Sequence, residues 1–315
     1  MNDKKRILFF GAGVIGSIYA LKVVRAGHDV TILARGKRLQ ELSAQGIILE
    51  NIDTGKKAQC TVRIITQLDP EDIYDWIIVP VKKNQVKEML PILGKNKSQT
   101  IIFMVNNPSG FDKWAATIGS KRMLAGFCAS GGFLADGIVK YRTMRRIENL
   151  LQSTTFGEIS GTITPRLRDI VNVFRQAGFR TVSCNNMDAW LKTHIAMVSP
   201  IANSIYTCGN SNYELAKSAG TVRKMVVAIR EGLAVVRALG YPVTPVKLNI
   251  LLLMPVPVLT VIFRWILNTE FADTYMAKHA NAARDEMKQL ADEFLVLRDR
   301  AGIRTPAIDE LYKSI

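Results

Sequence analysis

The fold turns on residues 6–35, RILFFGAGVIGSIYALKVVRAGHDVTILAR. After Arg6 the first four residues are apolar and unbroken, the pattern of an inner parallel strand. Gly11-Ala12-Gly13-Val14-Ile15-Gly16 follows at once and fits GxGxxG. Residues 14–26 carry Ile15, Ile18, Leu21 and Val24 along one helical side, Gly27 ends the helix, and residues 29–33 form a second strand. Each glycine has its own task. Gly11 permits the tight turn, Gly13 leaves room for a pyrophosphate, and Gly16 lets helix and sheet approach closely. The free amides and positive dipole end of the helix would then face the phosphates. Gly11, Ala12, Gly13, Val14, Ile15 and Gly16 are therefore expected cofactor-binding residues of a dinucleotide site.

The end of the second strand bears on which dinucleotide. Selectivity for NAD would call for Asp or Glu there, to accept from the ribose hydroxyls. This chain instead reads Ile32-Leu33-Ala34-Arg35-Gly36-Lys37-Arg38. Arg35, with Lys37 or Arg38 close behind, suits an adenosine 2′-phosphate, because an arginine–phosphate contact is charge-assisted and can be bidentate. NADP(H) is the expected cofactor, ahead of NADH. FAD is disfavoured, since little in the remaining sequence suggests an isoalloxazine site.

Strand and helix patterns alternate to about residue 120, with strands at 47–49, 60–65, 76–79 and 100–105 and helices at 37–44 and 86–93. This places the first part in the α/β class, as a Rossmann-type doubly wound sheet. Residues 123–130 and 138–143 are expected to extend that sheet. A helix at 163–177 and a strand at 179–183 close the domain. Beyond it, helical spacing dominates 188–206, 219–239 and 273–300. The expected division is a Rossmann-type domain at 1–185 and an all-helical C-terminal domain at 186–315.

Composition excludes several classes. Cys60, Cys128, Cys184 and Cys208 form no CxxC pair and are expected to be buried, reduced thiols, while three scattered histidines argue against a metal site. No G-x-S-x-G elbow is present. The net charge of +15 could attract nucleic acid or an anionic membrane, yet no nucleic-acid-binding motif accompanies it. Residues 4–10 mimic a short signal peptide, but the apolar run is better explained as a strand. Residues 248–267, LNILLLMPVPVLTVIFRWIL, could span a bilayer by length. Pro255, Pro257 and Arg264 point instead to a buried helix, a proline-marked turn and a second helix. A cytoplasmic protein without stable membrane insertion, and without nucleic acid, is expected.

Taken together these residues resemble the ketopantoate reductase (2-dehydropantoate 2-reductase) family. GAGVIGS and Arg35 are typical of it. Val81-Lys82 resembles its Val-Lys after a strand, with the lysine near cofactor and substrate. Asn106-Asn107-Pro108-Ser109-Gly110 resembles its asparagine turn, with Asn107 the matching residue. Trp190-Leu191-Lys192 resembles the segment carrying its catalytic lysine, and Gly302-Ile303-Arg304-Thr305-Pro306 its late Gly-Val-x-Thr-Pro turn. Counting back from that turn, the family's glutamate falls on Glu286 and its substrate-binding serine on Thr274. Ala196 and Pro200 stand where the family has two asparagines, and Asn203 is the candidate substitute.

The resemblance implies NADPH-dependent reduction of a 2-oxoacid, ketopantoate to pantoate or a related substrate, in the cleft between two domains. It implies Lys192 and Glu286 as catalytic residues, and Lys82 and Asn107 beside the cofactor. Asn107, Lys192, Asn203, Thr274 and Glu286 are implied substrate ligands. Lys192 lies among apolar neighbours, where desolvation would bring its ammonium toward the working pH range. His194, two residues on, points around another side of the helix and is expected to be a packed or surface histidine rather than the acid. A small oxoacid is the expected partner, with a homodimer as an open oligomeric state. The competing reading is a non-catalytic NADP(H)-binding regulatory or scaffold protein.

Overall fold

The computed structural model describes residues 4–142 and 153–315. The chain divides into one unit made of Met1–Val105 and Phe111–Met187, and another made of Asn106–Gly110 and Asp188–Ile315. The boundary after Met187 lies two residues beyond the expected one. Residues 106–110 belong to the second unit although they lie within the sequence span of the first.

In the first unit an eight-stranded sheet runs in the order β12-β11-β8-β7-β6-β1-β2-β5. Its inner strands β1 (Arg6–Phe9), β2 (Asp29–Leu33), β6 (Trp76–Val79), β7 (Ile101–Phe103) and β8 (Met123–Phe127) pair in parallel with β5 (Arg63–Ile65) at one edge. They are apolar because both faces are covered. β11 (Thr154–Glu158) pairs antiparallel to β8, and β12 (Thr181–Ser183) parallel to β11. Helices α1 (Val14–Arg25), α2 (Gly36–Gln45), α3 (Val86–Lys95), α4 (Asp112–Ile118) and α5 (Pro165–Gln176) connect the strands. Chain order reverses at β1, which has β2 on one side and β6 on the other. Ligands of open α/β sheets bind outside the strand ends at such a point.

A second sheet has the order β4-β3-β10-β9, from β3 (Ile47–Asn51), β4 (Lys57–Cys60), β9 (Gly132–Ala135) and β10 (Ile138–Tyr141). The expectation that 138–143 extends the main sheet is thereby corrected, residue 143 itself lying outside the described residues. Asp136 and Gly137, with φ of 50° and 78°, turn β9 back on β10, and β10 then pairs in parallel with β3. A turn with φ above zero at both central residues matches the twist of a tight hairpin. Ile47, Leu49 and Val139 of this sheet share a core with Ile18, Tyr19 and Val23 of α1.

At the far edge of the main sheet, the buried Glu158 carboxylate accepts from Arg166 at 2.7 Å (Nε) and 2.5 Å (Nη2), and from the Thr164 hydroxyl at 2.5 Å. Thr164 also caps α5, accepting from the Leu167 amide at 3.2 Å. The four cysteines are half-buried thiols rather than fully buried ones.

Apart from its turns and the Asn106–Gly110 segment, the second unit is built of helices and has no strand among its described residues. It contains α6 (Met187–Thr207), α7 (Asn212–Lys217), α8 (Ala219–Ala238), α9 (Val256–Leu267), α10 (Arg284–Ala301) and α11 (Pro306–Tyr312). Ile195, Ile205, Ile229, Leu233, Phe263, Leu290 and Phe294 lie in its core. α6 meets α8 at Gly232, where a Cβ would stand 2.8 Å from the Ala196 carbonyl oxygen. Pro200 has no N–H to offer that same carbonyl. Where α11 starts, Glu231 accepts from the amides of Ala307 and Ile308 at 3.1 and 3.0 Å.

Two expectations change here. The helix expected at 273–300 is broken: Asp273–Ala277 forms a π turn, Lys278–Ala282 a short helix, and Ala283 interrupts the run before α10. The segment at 248–267 does form a short helix, Ile250–Leu253, a turn at Pro255, and α9, but it is buried on one side only. Among the described residues no helix is long and apolar enough to cross a membrane.

Removing the guanidinium that satisfies a buried carboxylate is costly, because the charge left behind keeps only the neutral Thr164 hydroxyl as a donor. Arg166→Ala is expected to lower stability by at least about 2 kcal/mol in urea unfolding. An unchanged midpoint would show that the Glu158 cluster does not hold this edge.

Candidate functional site

The glycine turn leaves the sheet between β1 and β6, where the Phe10 amide donates to the Ile78 carbonyl at 2.7 Å. Gly11 has φ of 140°, and a Cβ there would stand 3.0 Å from Val81. A Cβ on Gly16 would stand 2.1 Å from the Gly11 carbonyl oxygen, so any side chain would push α1 off the turn. Gly13 is the opposite case, since nothing lies within 4 Å of where its Cβ would be. It is also the N-cap of α1, which has neither a capping side chain nor an acidic residue in its first turn. Free first-turn amides, a bare approach and no competing carboxylate together suit a pyrophosphate.

Arg35, exposed, immediately precedes α2 and donates from Nε to the Thr66 carbonyl at 3.3 Å. Lys37 is exposed beside it. Arg38 is turned inward: it donates to the Ala12 carbonyl at 3.0 Å, Ser17 Oγ at 3.1 Å, the Gly137 carbonyl at 2.9 Å and Glu41 at 3.0 Å. It braces the back of the glycine turn, which corrects its expected place behind Arg35 as a phosphate ligand. Lys82 follows β6, and its amide donates to Gln85 Oε1 at 3.2 Å. Its neighbour Lys83 is buried, with the ammonium 4.7 Å from the Trp114 ring centroid. A shallow depression lined by Lys4, His28, Asp29 and Arg63 lies at the opposite ends of the strands.

The helical unit gathers the second group. Lys192, on α6, is only 3 % exposed. Its Nζ donates to Asp188 one turn earlier and lies 4.5 Å from the Tyr241 ring centroid. An ammonium so buried requires such compensation. The Asn106–Gly110 segment belongs to this unit. Asn107 Nδ2 donates to the Gly110 carbonyl at 2.6 Å, and Ser109 Oγ donates to Glu293 on α10. A Cβ on Gly110 would stand 3.6 Å from Asp188 Oδ1 and 3.8 Å from Lys192 Nζ. The structure thus brings Asn107, Asp188 and Lys192 into one cluster.

The remaining expected residues are buried elsewhere in the unit. Thr274 lies in the π turn, and Glu286 is in the first turn of α10, 4 % exposed rather than solvated. Asn203 is eleven residues past Lys192 on α6, roughly 16 Å along the helix axis. A small oxoacid held at Lys192 does not reach it, which counts against Asn203 as a replacement for the family asparagines. Its buried Oδ1 and the buried Thr305 hydroxyl have no hydrogen-bond partner among the described residues. Asp188 escaped the sequence reading, although an acid four residues before a lysine on one helix was there to be seen. His194 stacks on Trp190, centroids 5.2 Å apart. Burial, then the neighbouring His279, pushes its imidazole down to about 3, so it is neutral near pH 7 and unsuited to act as the acid. Among the described residues no group of His, Cys, Asp and Glu could hold a metal.

Residues 7–153 match the family described as Ketopantoate reductase PanE/ApbA. The 2-dehydropantoate 2-reductase of Archaeoglobus fulgidus is 24 % identical over 245 residues, covering 75 % of this chain and 76 % of the relative. Among solved structures, 2-dehydropantoate 2-reductase from Geobacter metallireducens superposes with a TM-score of 0.77 at 17 % identity, over 98 % of each chain. D-mandelate dehydrogenase with NADH and anilino(oxo)acetate gives 0.79 at 15 % identity, over 98 % of this chain and 96 % of that one. At such identities the superpositions establish the fold.

The histidine supplies a pH dependence. Unfolded, it takes a proton near its ordinary value of 6.5; folded, it resists until about 3. Between these values the unfolded chain binds more protons, so stability falls as pH drops through this window, by up to about 1.4 kcal/mol per pH unit. His194→Phe is expected to flatten the change in urea midpoint between pH 7 and 5. Parallel profiles for the two proteins would refute a neutral buried imidazole.

Proposed function

We propose that this chain, which belongs to the ketopantoate reductase (PanE/ApbA) family, is an NADPH-dependent reductase of 2-oxoacids, with ketopantoate to pantoate the leading candidate reaction. The observation that carries this reading is the buried Lys192, paired with the partly exposed Asp188 beside the Asn107 turn. It is supported by a glycine turn built for a pyrophosphate and by Arg35 and Lys37 exposed where a 2′-phosphate would be met.

In this reading Gly11, Ala12, Gly13, Val14, Ile15 and Gly16 cradle the pyrophosphate, Arg35 meets the 2′-phosphate, and Lys82 and Asn107 serve the nicotinamide end. Bound NADPH supplies the hydride. Reduction builds negative charge on the keto oxygen, and a positioned cation lowers the barrier by meeting that charge. Lys192 takes this role, donating a hydrogen bond from Nζ to the keto oxygen and then the proton. Asp188 and the Tyr241 ring hold the Lys192 side chain in place before substrate arrives. Thr274 is assigned to the substrate carboxylate and Glu286 to a substrate hydroxyl, which a buried acceptor would select. On the same fold, D-mandelate dehydrogenase is seen with NADH and anilino(oxo)acetate, a molecule whose carbonyl also adjoins a carboxylate.

Nicotinamide absorbance followed against a panel of 2-oxoacids tests the reaction. Lys192→Met is expected to lower kcat by about 10²–10⁴ while NADPH binding persists. Binding of NADPH with no turnover of ketopantoate or any other oxoacid would overturn the catalytic reading in favour of a non-catalytic NADP(H)-binding protein. For the cofactor, Arg35→Ala is expected to weaken NADPH binding by about 10–100-fold and leave NADH nearly unchanged. Equal affinities for both cofactors in the parent protein would refute the 2′-phosphate assignment.

A further inference from the structure

Helix α9 is packed along one side and bare along the other. Leu259, Phe263 and Leu267 enter the helical core, whereas Val258, Val261, Ile262 and Trp265, at positions i, i+3, i+4 and i+7, face solvent. Trp265 is 74 % exposed, while Trp76, Trp114 and Trp190 are all buried. Leu253, three residues before the helix, and Val246, ten before it, are each 79 % exposed. Contiguous apolar surface of this kind marks an interaction site.

Charge indicates the partner. No carboxylate occurs between Glu231 and Glu270, a stretch that carries Arg237, Lys247 and Arg264, and the whole chain has a net charge of +15. The nearby Glu214 of α7 is paired with Lys217 at 2.7 Å. A second copy of this chain would present another acid-free, basic surface, whereas an anionic bilayer complements both features. With 12 residues, α9 is too short to cross a bilayer but suited to lie in its plane.

We propose that this face of the helical unit is a peripheral membrane-binding surface for anionic lipid. The Val258–Val261–Ile262–Trp265 stripe enters the headgroup–acyl boundary, and Lys247 and Arg264 are the exposed cations beside it in sequence, Arg264 donating from Nε to the Ala216 carbonyl at 2.8 Å. This proposal goes beyond the reductase reading and stands independently of it.

The test is co-sedimentation of the intact protein with phosphatidylcholine vesicles, with and without phosphatidylglycerol, while tryptophan emission is recorded. Binding to the anionic vesicles is expected, at least about tenfold tighter than to the neutral ones, and weakened by salt. A blue shift should accompany it, reporting on Trp265. The double variant Val261→Ser, Trp265→Ser should lose at least about tenfold in vesicle binding while keeping its Tm and its NADPH affinity. Failure to bind anionic vesicles overturns the proposal. Vesicle binding without a blue shift, or unchanged in the double variant, also overturns it, because charge alone would then explain attachment. A dimer in sedimentation velocity that the double variant abolishes, with no vesicle binding, would assign the face to a second copy.

Discussion

Two backbone segments, the turn after β1 and the first turn of α1, approach so closely at Gly11 and Gly16 that no side chain fits between them. This contact sets the angle at which α1 leaves the sheet. The angle decides that the first-turn amides point beyond the strand ends, and that Gly13 stands open. Arg38 reinforces the arrangement from behind, joining the Ala12 carbonyl, Ser17 and the turn of the small sheet. The second sheet is thus more than an appendage to the first unit. It supplies one of the acceptors that hold the guanidinium in place.

The helical unit rests on a different constraint, a buried ammonium. Lys192 has given up its water, and Asp188 and Tyr241 replace it. Desolvation sharpens the electrostatics of whatever the ammonium meets. The residues one and two turns further along α6 are where the chain departs from the family asparagines, and the structure gives those departures a shared physical reason. Pro200 withholds its donor from the Ala196 carbonyl, and Gly232 of α8 comes up against that same carbonyl. Alanine, proline and glycine together allow two helices to pack closely where polar side chains would have to be accommodated.

Much of this was legible from residue order alone, and the exceptions have a common cause. β1, α1 and β2 could be read because strand, turn and helix are each specified by neighbours in sequence. The Asp136-Gly137 turn was equally local, yet the partner of β10 is β3, about ninety residues away, and no local pattern encodes that pairing. Apolar spacing continues through residues 273–300 and conceals the break at Ala283. The inward turn of Arg38 depends on acceptors from three separate segments, so its charge alone suggested a surface role. Lys192 and Asn107 were named separately from the sequence, but only the structure shows that they share a cluster with Asp188. The one-sided burial of α9 was hidden because its exposed and buried faces are both apolar.

The chain's excursion at Asn106–Gly110 bears on how the protein is made. This turn leaves the ribosome about eighty residues before α6, the helix whose Asp188 and Lys192 it adjoins, so its packing waits on a long loop closure. Meanwhile the rest of β8, β11 and β12 must be synthesised and can pair. The lysine cluster consequently cannot be completed until the sheet residues that precede α6 have been synthesised. A chain cut after Met187 would give a sheet unit with a displaced turn and a helical unit with a gap beside its buried ammonium, so the two units are not separable by a single cleavage.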